Sequence, residues 1–150
     1  MELERVDAII EAHGREPSAL IQVLLQIQAD AHWLPREALE RVAERLGVPL
    51  ARIRHIASFY KAFSLVPKGR HHIQLCLGTA CHVRGAARLL HTTEELTGIG
   101  PGETDMELRF SLDTVGCLGC CALGPVMQID GDIHGHVTSG KVDALLRRYE

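Results

Sequence analysis

Over residues 1–66 the apolar positions recur at steps of three and four, the period of a helix with one buried face. Leu3, Val6, Ile9 and Ile10 form the first stripe, with Gly14 as its C-terminal stop. Pro17 occupies a first-turn position, and Leu20, Val23, Leu24 and Ile27 then share a face. The stretch "WLP" breaks this helix. Pro35 opens a third, with Ala38, Leu39, Val42, Ala43 and Leu46 inward and Gly47 at its end. Pro49 opens a fourth, with Ile53, Ile56 and Ala57 inward, running into "SFYKAF". Proline starts and short connections predict a small helical bundle. Trp33, Phe59, Tyr60 and Phe63 are expected to be its aromatic core or its packing onto the second half of the chain.

After "VPKGR" the period drops to two. "HHIQLCLG" alternates Ile73, Leu75 and Leu77 with polar neighbours and predicts a strand. Residues 83–97 return to a helical period, with Val83, Ala86, Ala87, Leu90 and Leu96 on one side and Gly98 as the stop. A loop, "GIGPGETD", leads to a second strand in "MELRFSL" through Leu108, Phe110 and Leu112. "PVMQI" and "IHGHV" flank the turn "DGD" as a hairpin. The last helix carries Val142, Leu145, Leu146 and Tyr149, with Thr138 or Ser139 as cap. The predicted class is α+β: a helical bundle over residues 1–69, then an α/β domain over 70–150 with a mixed four-stranded sheet. Its order is the minimal thioredoxin-like arrangement, with a cysteine loop in place of the helix expected after the second strand.

Composition narrows the function. The chain has 150 residues, 46% hydrophobic and 23% charged, which is ordinary globular usage. A net charge of −3 gives no reason to expect nucleic acid or an anionic membrane as partner. "MELERVDAII" lacks the apolar core of a signal peptide, and "ALIQVLLQI" is cut by Gln22 and Gln26, so no membrane insertion is expected. The expected location is the cytoplasm, where five cysteines point to metal binding or catalysis rather than disulfides.

Cys76 ends the first predicted strand and Cys81 follows in a C-x4-C spacing; Cys117 ends the second, with Cys120 and Cys121 in the next turn. If the two strands are neighbours, both cysteine loops leave the same end of the sheet and face one another. Zinc would accept four thiolates, but this chain already has a core without it. A dithiol oxidoreductase could use Cys117 and Cys120, yet its C-x-x-C belongs after the first strand, and Cys76 and Cys81 would be idle. A [2Fe–2S] cluster takes two thiolates per iron, and C-x4-C occurs in plant-type ferredoxins. Gly78, Gly85, Gly116 and Gly119 suit it, because backbone N–H groups approach sulfur most easily where side chains are absent. A Rieske centre is disfavoured: His82 adjoins Cys81, but neither loop pairs cysteine with histidine as that centre requires. His71 with His72, and His134 with His136, are read as solvated strand residues.

The segments "CLGTACHVRGA" and "GCLGCCALGPVMQIDGDIHG" closely resemble the small thioredoxin-like [2Fe–2S] subunit of NADH dehydrogenases, the complex I subunit beside the NADH-binding flavoprotein. The helical half, from "WLPREALERV" through "ASFYKAF" to "HHIQLC", is similar as well, and the likeness covers roughly residues 15–150. "CLGTACHVRG" looks more like the versions in NAD(P)-linked hydrogenases and formate dehydrogenases than like a respiratory one. By this resemblance the iron ligands are Cys76, Cys81, Cys117 and Cys121. Cys120 departs from the family, which carries a small residue there, and is expected to fill that slot as a hydrophobe. Pro125 matches the place where thioredoxin folds carry a cis proline.

The resulting expectation is an electron-transfer subunit with no complete active site of its own. No dinucleotide or P-loop motif is present, so FMN and NAD(H) belong to a partner flavoprotein, accompanied by further iron–sulfur subunits. N–H groups of Gly78, Thr79, Gly119 and Ala122 are expected around the cluster, and "FYKAF" is the expected docking surface. The alternatives are a stand-alone thiol oxidoreductase using Cys117 and Cys120, and an adaptor that keeps a cluster but passes no current.

Overall fold

In the computed structural model, which describes residues 2–149, the chain divides between Lys68 and Gly69 into two units. In the first unit the four apolar stripes become α1 (Leu3–Ala12), α2 (Leu20–Ala31), α3 (Arg36–Leu46) and α4 (Leu50–Phe59). Pro17 starts a single 3-10 turn ahead of α2, and Pro35 and Pro49 stand at the N-cap positions of α3 and α4. Proline lacks the amide hydrogen that a helix start leaves unpaired in any case. Gly47 closes α3 in the left-handed conformation, φ 64°. The stripes meet in one core, in which Val6, Ile10, Val23, Leu24, Ile27, Val42 and Ile53 are fully buried. Asp7 on α1 accepts from Arg41 Nη2 at 2.7 Å and from Arg45 Nε at 3.0 Å, tying α1 to α3.

Of the aromatic residues, Phe63 packs partly buried against that core, as expected, but Phe59 and Tyr60 do not. Phe59 is 72% exposed and Tyr60 47%, while Trp33 and Phe63 are half-buried. Ile53 and Ala57 complete the buried face of α4, and the chain turns extended at Tyr60, one residue past the helix. The rings instead touch each other edge to face, Tyr60 lying 5.1 Å from Phe59 and 6.4 Å from Phe63.

The second unit contains β1 (His71–Cys76), α5 (Thr79–Val83), α6 (Ala86–Thr97), β2 (Phe110–Val115), β3 (Met127–Ile129), β4 (Asp132–His134) and α7 (Ser139–Leu146). The sheet order is β2-β1-β3-β4. β1 and β2 are parallel, from His71 opposite Phe110 to Cys76 opposite Val115. The two remaining pairs are antiparallel. Asp130 and Gly131 make the β3–β4 turn with φ 52° and 96°, the left-handed pair that suits the twist of a two-residue hairpin. Ile73, Leu75, Leu112, Met127 and Ile129 from the sheet pack with Leu89 of α6 and Val142 of α7. The mixed sheet with its helices is a thioredoxin-like fold, as the strand and helix order implies.

Four local expectations are corrected. α5 is a separate helix, and Gly85 at φ 102° resets the phase before α6. Val83 is therefore 80% exposed; the buried face of α6 is Ala86, Leu89 and Thr93, and Leu96 in its last turn is 47% exposed. Thr93 is accommodated there because its hydroxyl donates to Leu89 O at 2.8 Å. Leu108 lies in a turn with φ 52°, so β2 begins two residues later and Cys117 falls two residues past its end. Thr138 stands at the N-cap of α7 but makes no side-chain cap bond. Three of the strand histidines are partnered rather than merely solvated: His71 with Asp130, His72 with Asp113 and His134 with Tyr149. Among the described residues no helix is long and apolar enough to cross a membrane.

Candidate metal centre

The parallel pairing of β1 and β2 puts the ends of both strands together, and both cysteine loops leave from that end. Cys76 is the last residue of β1, Cys81 lies in α5, and Cys121 opens a 3-10 turn, Cys121–Leu123. Gly78 lets the loops approach: a Cβ there would lie 2.5 Å from Gly116 O and 3.5 Å from Cys76 Sγ. Gly124 does the same on the other side, where a Cβ would lie 3.1 Å from Cys81 Sγ. The peptide that follows, Gly124–Pro125, is cis.

Four thiols meet. Cys117 Sγ is 3.7 Å from Cys121 Sγ, and the Cys76 thiol lies close enough to Cys81 and Cys117 to feel both. Cys76 and Cys81 are 3% and 1% exposed, whereas Cys117 and Cys121 are exposed, so the site is closed on the sheet side and open on the other. Backbone N–H groups surround the sulfurs: Gly119 donates to Cys117 at 3.2 Å, while the amides of Gly78 and Leu118 favour the thiolate of Cys76 and that of Val126 the thiolate of Cys81. Gly78 and Gly119 are donors that the sequence signals. Leu118 and Val126 are not, because their amides reach sulfur through loop geometry that residue type does not reveal.

Cys120 behaves differently. Its Sγ faces Leu118 O at 3.7 Å, and it packs half-buried against a small cluster formed by Cys76, Cys81, Ala86 and Val126. His82, beside Cys81, is exposed.

Burial pushes the Cys76 thiol up, but N–H donation from Gly78 and Leu118 and the neighbouring thiols outweigh it and hold Cys76 below the ordinary thiol range. Cys81 is raised, first by burial and then by Cys76, and Cys121 is raised by its contact with Cys117. Opposite directions within one group are what like charges impose: the first thiolate is stabilised by its neighbours' S–H groups, and the next must form beside it.

Among the described residues no three Cys, His, Asp or Glu side chains surround one ion position. The thiols associate as Cys117 with Cys121 and Cys76 with Cys81, joined through Cys76. An all-sulfur donor set, arranged in pairs and met by backbone N–H groups, fits a cluster in which each of two irons takes two thiolates.

A mixed sheet with two facing cysteine loops at one end defines a thioredoxin-like protein organised around a thiolate site. The chain belongs to the thioredoxin-like [2Fe-2S] ferredoxin family, whose model matches residues 6–150. Its cofactor is accordingly a [2Fe–2S] cluster. It is 39% identical over 140 residues to the NADP-reducing hydrogenase subunit HndA of Solidesulfovibrio fructosivorans, covering 93% of this chain and 82% of that one. It is 38% identical over 146 residues to a subunit of the NADH-quinone oxidoreductase of Rhizobium meliloti (strain 1021), covering 97% and 87%. Its fold matches a chain of the NAD+-reducing [NiFe]-hydrogenase in the air-oxidized state with TM-score 0.73 and 24% identity, over 87% of this chain and 22% of that one. This chain thus spans about a fifth of that solved chain, and the likeness there is one of fold.

Proposed function

We propose that this chain is the electron-transfer subunit of a multisubunit NAD(P)H-linked oxidoreductase, with its cluster held by Cys76, Cys81, Cys117 and Cys121. The observation that supports the ligand assignment is the convergence of these four thiols at the shared end of β1 and β2, with Cys117 Sγ 3.7 Å from Cys121 Sγ and Cys120 turned toward Leu118 O. A bound [2Fe–2S] cluster supplies a one-electron carrier of low potential, with ~−400 mV as the plant-type reference. Cys76 and Cys81 exclude water on the sheet side, and the N–H groups of Gly78, Leu118, Gly119 and Val126 stabilise charge on sulfur. Cys117 and Cys121 lie on the open side, the side from which a partner could approach closely.

The chain contains no nucleotide motif, and its relatives are named as subunits of a hydrogenase and of quinone oxidoreductases, which supports placing FMN and NAD(H) on a partner flavoprotein. Further iron–sulfur subunits complete the path. A cytoplasmic location belongs to this reading, as does the division into a helical domain, 1–69, and a cluster domain, 70–150.

The test is reconstitution of the purified chain with iron and sulfide. Equal iron and sulfide, with the absorbance and one-electron EPR signal of a [2Fe–2S] centre, are expected. Cys121→Ala should lose the signal and Cys120→Ala should keep it. A colourless protein holding one zinc ion would end the proposal, and exchanged outcomes for the two variants would overturn the ligand assignment. Disulfide reductase activity lost on Cys120→Ala and kept on Cys76→Ala would favour the thiol oxidoreductase instead.

A further inference from the structure

Arg84 follows α5, three residues after Cys81, and its side chain crosses to the other cysteine loop. Its Nη1 donates to Cys121 O at 3.0 Å and to Ala122 O at 3.2 Å. The contact joins segments 37 and 38 residues apart in sequence. Gly124 makes room for it, since a Cβ there would lie 3.5 Å from Arg84 Cδ as well as 3.1 Å from Cys81 Sγ. The carbonyls of Cys121 and Ala122 belong to a single 3-10 turn and lack the ladder partners of a strand, so a cationic donor is a strong tether for them. One side chain therefore fixes the backbone of Cys121 against the helix that carries Cys81.

We propose that Arg84 is a positioning residue for the cluster: it clamps the Cys121 loop to α5 and places a permanent positive charge beside the thiolate site. The clamp itself needs no metal. The charge matters because each electron gained makes the site one charge more negative, so a nearby guanidinium favours the reduced form. The cluster part of the inference rests on the ligand assignment proposed above; the clamp part does not.

The test compares Arg84→Met, Arg84→Lys and Arg88→Met with the parent chain. Arg88 is the control: it carries the same charge one turn further on, and its side chain takes no part in the Cys121 and Ala122 contacts. In the unloaded protein, hydrogen exchange is read at the Leu123 and Gly124 amides, which donate to Cys120 O at 2.9 Å and Cys121 O at 3.3 Å. Loss of one charged hydrogen-bonding group should speed exchange there by about tenfold in R84M, with R84K intermediate and R88M unchanged. In the reconstituted protein, R84M should release iron to a chelator about tenfold faster. It should also lower the reduced-to-oxidised ratio at fixed potential about tenfold, or ~59 mV for a one-electron couple, with R84K close to the parent in potential.

Exchange and iron release in R84M within twofold of R88M would overturn the clamp. An unchanged potential in R84M would overturn the positioning role and reduce Arg84 to a loop tie. Should R84M not fold, R84K carries the same comparison, and exchange equal to the parent would refute the clamp. A parent chain that takes up no iron and sulfide would refute the ligand assignment instead, while the exchange data would still decide the clamp.

Discussion

Gly78 has φ −57° and ψ 159°, a conformation open to any residue, so Gly78→Ala introduces no backbone strain. What it introduces is a methyl group 2.5 Å from Gly116 O, with Cys76 Sγ at 3.5 Å. An ordinary carbon–oxygen contact is about 3.3 Å, so the two cysteine loops must part by roughly 0.8 Å. Gly116 is the residue before Cys117, and the displacement passes directly to that thiol. Overpacking of this kind costs about 1–3 kcal/mol. With an m-value near 2 kcal/mol/M, the urea midpoint of the unloaded chain should fall by roughly 1 M. Far-UV circular dichroism reports the midpoint, and exchange at the β1 amides assigns the loss to the second unit. Gly116→Ala is the matched control, because a Cβ there meets nothing within 4 Å. Its midpoint should stay within about 0.5 kcal/mol of the parent. Equal midpoints for the two variants would refute the argument that loop separation is set by the missing side chain of Gly78.

Other expectations are independent of the cysteines. The hydrogen bond from Arg41, aided by Arg45 and opposed by burial, lowers the Asp7 carboxyl from 3.8 to about 2. A depressed carboxyl contributes stability that is complete above its ordinary range and lost as pH falls through its folded value. The parent should therefore lose stability between pH 3.8 and about 2, and Asp7→Asn should be less stable above that window and flatter across it. Parallel pH–stability curves would show that the Asp7 pairs contribute nothing. Leu112 is fully buried in the sheet core, and Leu112→Ala should cost about 2–5 kcal/mol by urea unfolding, a loss under 1 kcal/mol contradicting its place there.

Much of this molecule is local enough to be legible in one dimension. The apolar periods marked all four helices of the first unit, because each must bury one stripe and proline or glycine marks its ends. The spacing of Ile73 and Leu75 marked β1, and "DGD" marked the hairpin. Cysteine spacing marked two loops of interest and, with the family pattern, a set of four ligands to propose. Tertiary structure decided the rest. Val83 looks core-facing in sequence, but left-handed Gly85 separates its short helix from α6, and Leu96 is left exposed in the last turn of α6. Phe59 and Tyr60 look like core aromatics, yet Phe59 points away from the Ile53 and Ala57 face of α4 and the helix ends before Tyr60. Whether Cys120 or Cys121 faces Cys117 is likewise undecided by residue type, since adjacent side chains in an irregular turn follow the backbone and not a period. The amides of Leu118 and Val126, and the reach of Arg84 across the site, come into place because β1 pairs with β2 on one side and β3 on the other, which brings distant segments to one end of a sheet. Periodicity records which face of an element is buried; which atoms converge at a site is set by how the elements are joined.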